Sequence, residues 1–149
     1  MKLYLGADHG GFELKNKLVE FLKDQNYQLE DLGADSFQAD DDYPDYAVKV
    51  ARAVAKNPDE SLGILLCRSG GGMVIAANKV KGIRAVDCFN QVSAEHAKKD
   101  NDANVITLGA DWLDFDQAKK IVKTFIKTEF SQAPRHIRRI KKIVEIERN

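Results

Sequence analysis

Leu62-Gly63-Ile64-Leu65-Leu66 is an apolar run, and Cys67-Arg68-Ser69-Gly70-Gly71-Gly72 follows it directly. An uninterrupted apolar stretch of this length fits a strand buried on both faces, as in a parallel sheet. The glycines end the strand abruptly, and a helix is predicted over residues 73–79. Outward from this strand the same alternation repeats. Residues 3–7 form a strand candidate ending at Asp8-His9-Gly10-Gly11, with Leu14, Leu18, Phe21 and Leu22 behind it at helical spacing. Residues 27–32 alternate and stop at Gly33. An acidic loop, 35–42, leads to Tyr43-Pro44, which opens a helix with Ala47, Val50, Ala51 and Val54 on its buried face. Residues 83–86 and 105–108 are the fourth and fifth strand candidates, with a helix over 92–99 between them. Ala118, Ile121, Val122 and Phe125 mark the next helix, and Pro134 opens a last basic one with Ile137, Ile140 and Val144 inward.

Strands alternating with helices of about ten to fifteen residues predict an α/β fold: a doubly wound parallel sheet of five strands, helices on both faces, and a C-terminal basic helix. The expected strand order is 2-1-3-4-5, whose direction reverses between the first and third strands. Ligand crevices form at such reversals, outside the carboxyl ends of the strands. Those ends carry Asp8-His9-Gly10-Gly11 and Cys67-Arg68-Ser69-Gly70-Gly71-Gly72, the two most chemically unusual segments of the chain.

The chain has 149 residues and is expected to form one domain, 1–149. Its 23 Lys and Arg balance its 23 Asp and Glu, which argues against bulk electrostatic binding to nucleic acid or to a membrane surface. From residue 134 to the end, six bases oppose two acids, whereas Asp40, Asp41, Asp42 and Asp45 form an acidic cluster. Two cysteines, Cys67 and Cys88, make neither a disulfide framework nor a zinc-binding spacing, so no metal or cofactor is expected. With no signal-like apolar start and no long apolar stretch, the expected location is cytoplasmic.

Cys67 can be read as a buried core residue, the usual fate of a free cysteine. Its place at a strand end, before a glycine loop and a helix N-terminus, favours a thiolate and suits general-base work. Ser69-Gly70-Gly71-Gly72 is either a flexible tight turn or a nest of amides for a phosphate or a developing oxyanion. It is not a Walker loop, since no GK[ST] follows, and it lacks dinucleotide-fingerprint spacing. Asp8 either caps the following helix or, with His9, handles sugar hydroxyls or an anion. Arg135 and Arg139 share a helical face, as a solvated basic patch or as a phosphate clamp. His96 reads as ordinary surface and Cys88 as core.

Seven segments, Gly6-Ala7-Asp8-His9-Gly10-Gly11, Asp42-Tyr43-Pro44, Cys67-x-Ser69-Gly70-x-Gly72, Ala76-Ala77-Asn78-Lys79, Gly82-Ile83-Arg84-Ala85, Asn101-Asp102-Ala103-Asn104 and Arg135-His136-x-x-Arg139, together resemble the type B ribose-5-phosphate isomerase and galactose-6-phosphate isomerase family nearly end to end. The resemblance implies a Rossmann-like fold, a homodimer or tetramer with shared active sites, and metal-free aldose–ketose isomerisation of a sugar phosphate through a cis-enediolate. It implies that Cys67 is the base, that Ser69 assists transfer at the oxygens, and that the Gly70, Gly71 and Gly72 amides hold the enediolate. Asp8 would contact sugar hydroxyls or the ring oxygen. His9, Arg135 and Arg139 would hold phosphate, and Asn101 would reach the site across the dimer.

Two residues depart from the pattern. Asp100 stands where the ribose enzymes carry a histidine that helps open the furanose ring, and Asp111 stands where many members carry Arg or Lys. Arg68, beside Cys67, is placed to compensate. A pentose phosphate and a hexose phosphate such as galactose 6-phosphate both stay open as substrate. A cysteine phosphatase would need an arginine where Met73 stands, and a receiver domain would need an aspartate where Cys67 stands. A non-catalytic sugar- or nucleotide-binding sensor is the remaining alternative.

Overall fold

The computed structural model describes residues 1–148. Its elements are β1 (Lys2–Ala7), α1 (Phe12–Asp24), β2 (Gln28–Asp31), α2 (Tyr43–Lys56), β3 (Ser61–Cys67), α3 (Gly71–Ala77), β4 (Ala85–Asp87), α4 (Gln91–Asn101), β5 (Val105–Gly109), α5 (Phe115–Lys127) and α6 (Pro134–Ile146). All strand pairings are parallel. The third strand is buried at all seven of its positions, as its unbroken apolar run requires.

The sheet order is β2-β1-β3-β5-β4, which corrects the expected 2-1-3-4-5. Burial explains the exchange. Every residue of β5 is buried, so it belongs inside the sheet, whereas β4 has only three residues and ends on Asp87. The chain therefore leaves β3, crosses one vacant place through α3, lays down β4 at the edge, and returns through α4 to fill the gap with β5. Right-handed crossovers then sort the helices by direction of travel. Helices α1, α4 and α5 pack on one face around Leu18, Leu22, Ala94, Ala97, Ile121 and Phe125. Helices α2 and α3 pack on the other, around Ala47, Val50, Val54 and Met73. The reversal between β1 and β3 survives the correction, and so does the crevice it predicts.

Two local anchors matter for the site. Lys15, 1% exposed, carries its ammonium from α1 to Asp31 Oδ2 at 2.6 Å. Asp31 Oδ1 accepts from the Gly33 amide at 2.9 Å, closing the turn from which the acidic loop departs. At the other end of the chain, α6 departs from its predicted packing. Its only buried residue is His136, while Ile137, Ile140 and Val144 are half-buried. No element of the chain covers that apolar side completely.

Candidate active site

The register pairs Ala7 with Leu66, so Asp8 and Cys67 leave the sheet side by side at the carboxyl ends of neighbouring strands. Asp8 is 5% exposed, and its Oδ1 accepts from the Gly10 and Gly11 amides at 2.9 and 3.3 Å. These bonds brace the turn after β1. They do not cap α1, whose N-cap is Gly11 without a side-chain bond. Burial pushes the Asp8 carboxyl up, against the opposing pull of the two amides and His9.

Cys67 is buried at the end of β3, and the Gly70 amide donates to its Sγ at 3.0 Å. The Gly70 φ of 82° demands glycine, and a Cβ there would collide with the Asp87 carboxylate. Gly71 and Gly72 open α3 (predicted from residue 73), in the turn whose amides find no carbonyl within a helix. Tyr43 closes over Gly72 from α2, where a Cβ would stand 2.5 Å from the ring. Ser69 is exposed at the mouth of the loop. Asp87 accepts from Thr107 Oγ1 at 2.7 Å, and burial pushes its carboxyl up. Cys88 is buried in the core as expected, its thiol pushed up to about 12 by burial.

His9 lines the same crevice. Asp41, from the acidic loop, accepts from its backbone N–H at 3.0 Å and meets its Nδ1 at 2.8 Å. Asp8, His9 and Asp41 present ligand-type atoms within 4.8 Å of one another. His9 Nδ1 and Asp41 Oδ1 are engaged with each other, and two amides hold Asp8, so hydrogen bonding accounts for the cluster. Arg68 lays its stem over Gly10 and brings Nε to 3.5 Å from Asp111 Oδ2. The acid at 111 is thus paired within the chain by the arginine beside Cys67.

The remaining predicted residues lie elsewhere. Helix α4 runs antiparallel to the strands it links, so Asn101 at its end sits where β5 begins, at the amino end of the sheet. The start of α6 joins it there: Ser131 N–H donates to the Lys99 carbonyl at 3.0 Å, and His136 Nε2 lies 3.8 Å from Asp100. Arg135 Nε donates to His136 at 3.2 Å. Asn101, Arg135 and Arg139 are all exposed, and among the described residues none bonds to the crevice. One chain therefore brings Asp8, His9, Cys67, Ser69 and the glycine loop together, and leaves those three apart. His96 is exposed, as expected of a surface residue, and pairs with Asp100 at 2.7 Å.

The Ribose/Galactose Isomerase family model matches residues 3–143. The chain belongs to that family. It is 43% identical over 148 residues to ribose-5-phosphate isomerase B of Mycolicibacterium paratuberculosis, covering 99% of this chain and 92% of the relative. Among solved structures, ribose-5-phosphate isomerase B of Clostridium thermocellum matches with a TM-score of 0.94 and 43% identity, over 99% of this chain and 98% of that one. The Mycoplasma genitalium enzyme, solved with bound ribulose-5-phosphate, matches with a TM-score of 0.95 and 40% identity, over 99% and 97%.

Within this member of the Ribose/Galactose Isomerase family, three site neighbours escaped the sequence. Asp41 stood in a run of three acids, and nothing local distinguishes it from Asp40 or Asp42. Tyr43 read as a helix opener and as part of the Asp42-Tyr43-Pro44 segment, without a role at the site. Asp87, at the end of the edge strand β4, stands against Gly70. The one available signal was the acid itself, ending an otherwise apolar strand.

Proposed function

We propose that this protein interconverts ribose 5-phosphate and ribulose 5-phosphate, with Cys67 as the base, and that residues 1–149 form one sugar-phosphate isomerase domain. The observation that carries the chemistry is the Gly70 amide on Cys67 Sγ at 3.0 Å, in the crevice that Asp8 shares. The thiolate takes the C2 proton of the open-chain aldose and returns a proton to C1, while a second proton passes from O2 to O1. Ser69 serves that second transfer. The amides of Gly71 and Gly72 hold the charge that builds on the enediolate oxygens, the places where such donors contribute most. Asp8, anchored by two backbone amides, presents its other oxygen to the sugar hydroxyls. His9 receives the phosphate.

The reading includes a second copy of the chain. Asn101, Arg135 and Arg139 gather at the opposite end of the sheet from Cys67, which supports a site completed by a partner's residues. Exposed Ile75, Phe89, Val92 and Trp112 offer apolar surface for such a contact. A hexose phosphate is the second reading, favoured by Asp100 and Asp111 standing in place of the family's usual histidine and base.

A panel of pentose and hexose phosphates and free sugars, assayed for aldose–ketose exchange and for solvent hydrogen entering C2, separates these substrates and excludes a silent sensor. Cys67→Ala is expected to stay folded and lose at least about 100-fold in kcat, the usual scale for a general base. Retained turnover by the folded variant removes the cysteine from the role.

A further inference from the structure

One residue holds His9 from two sides. Asp41 Oδ1 accepts from the His9 amide and meets its Nδ1, at 3.0 and 2.8 Å. The imidazole stands edge-on to Phe37, with ring centroids 6.4 Å apart and planes at 89°, and Phe37 in turn meets Phe12. The ring is therefore fixed by a carboxylate on one side and an aromatic wall on another. The Asp41 side chain is only 9% exposed, and its Oδ2 is buried without a hydrogen-bond partner among the described residues. The Tyr46 hydroxyl lies beside the carboxylate and helps to hold its charge, although it falls outside hydrogen-bond geometry to Oδ2. A carboxylate so far from water, with one oxygen unbonded, is costly unless a cation compensates it. Among the described residues its one ion pair is with His9.

We propose that Asp41 is a positioning residue: through its two contacts it fixes His9 with Nδ1–H inward and Nε2 toward the crevice, as a cation facing the anionic end of the sugar phosphate. This rests on the isomerase reading and adds to it the group that sets the charge and aim of the phosphate-binding histidine. A carboxylate on one ring nitrogen determines which nitrogen carries the proton, and so which one is free to point outward. The charged groups around the ring agree. Its hydrogen bond to Asp41 raises the His9 pKa, helped by the charges of Asp8 and Asp41 and opposed by burial and by Arg68. In return, burial would push Asp41 up, but the His9 amide and imidazole, helped by Tyr46, overcome it and leave its carboxyl below the usual range.

The test uses the full chain with Asp41→Asn, which keeps the shape and an acceptor but removes the charge. Two measurements are made: an NMR titration of the His9 ring protons, and the pH dependence of KM and kcat for ribose 5-phosphate. The His9 midpoint is expected to fall by about one unit, and KM at alkaline pH to rise about tenfold with kcat little changed. The difference closes as pH falls and the ring becomes charged with or without its partner. Asp41→Glu is the second variant; it keeps the charge one methylene away, so the midpoint stays raised while KM increases at every pH. An unchanged midpoint in folded Asp41→Asn overturns the proposal, and so does a shifted midpoint with an unchanged KM profile. Wild-type protein that turns over no sugar phosphate overturns the isomerase reading instead. In that case the titration, repeated with added ribose 5-phosphate, still decides whether Asp41 governs His9.

Discussion

Asp8 is buried, accepts two backbone hydrogen bonds through one oxygen, and has its carboxyl pushed up by burial. A raised carboxyl pKa means that the folded state prefers the proton, so its stabilising contribution is complete below the ordinary value of 3.8 and is lost as pH rises through the folded value. Above the folded value, the charged carboxylate opposes folding. Asp8→Asn keeps the oxygen that the amides need and removes the charge. Its Tm at pH 7 is expected to rise by about 2–4 °C, roughly 1 kcal/mol for a chain of this size, while turnover collapses. The gain is expected to vanish near pH 3. A calorimetric scan at both pH values checks this, and a lower Tm at pH 7 refutes it. Cys67, Asp8 and His9 were legible from sequence because each sits at a strand end beside glycines. Asp41 was not, because its role depends on how a loop folds back over His9, and loop trajectories leave no periodic trace in sequence.

The start of α6 presents Arg135 exposed, its side chain bonded among the described residues to His136, with Arg139 one turn further along. Arg135→Ala is expected to raise KM for phosphorylated sugars at least about tenfold while leaving free sugars nearly unaffected, since an arginine–phosphate contact is charge-assisted. Equal losses for both substrates would argue that this helix does not meet phosphate. Elements were otherwise read to within a few residues, from apolar runs for strands and three-to-four spacing for helices. Strand order was harder. Val105 to Gly109 and Ala85 to Asp87 differ in length and in their last residue, but sequence pattern does not say which strand passes the other. The half-exposed face of α6 was misjudged for a related reason: apolar spacing marks a buried face without saying whether this chain or another copy buries it.

Across the whole molecule, the crevice and the arginines sit at opposite ends of the sheet. A symmetric pair of chains that supply each other's arginines makes each active site a composite. Cys67→Ala and Arg135→Ala, each inactive or weak alone, are then expected to complement when mixed and re-equilibrated. About a quarter of wild-type activity should return, because half the pairs are mixed and each mixed pair holds one intact site. No recovery on subunit exchange would place the arginines outside their partner's site.

The exchanged order of β4 and β5 also governs how the chain is born. The inner neighbour of the third strand is β5, yet β4 is synthesised first and has nothing to pair with until Val105 to Gly109 have left the ribosome. Until then the strand that ends in Cys67 has an open edge, the kind of surface that recruits a neighbouring nascent chain. Three residues and a terminal acid make β4 a poor competitor for that edge. The same brevity that puts this strand at the margin keeps the place beside Cys67 free until its proper occupant emerges.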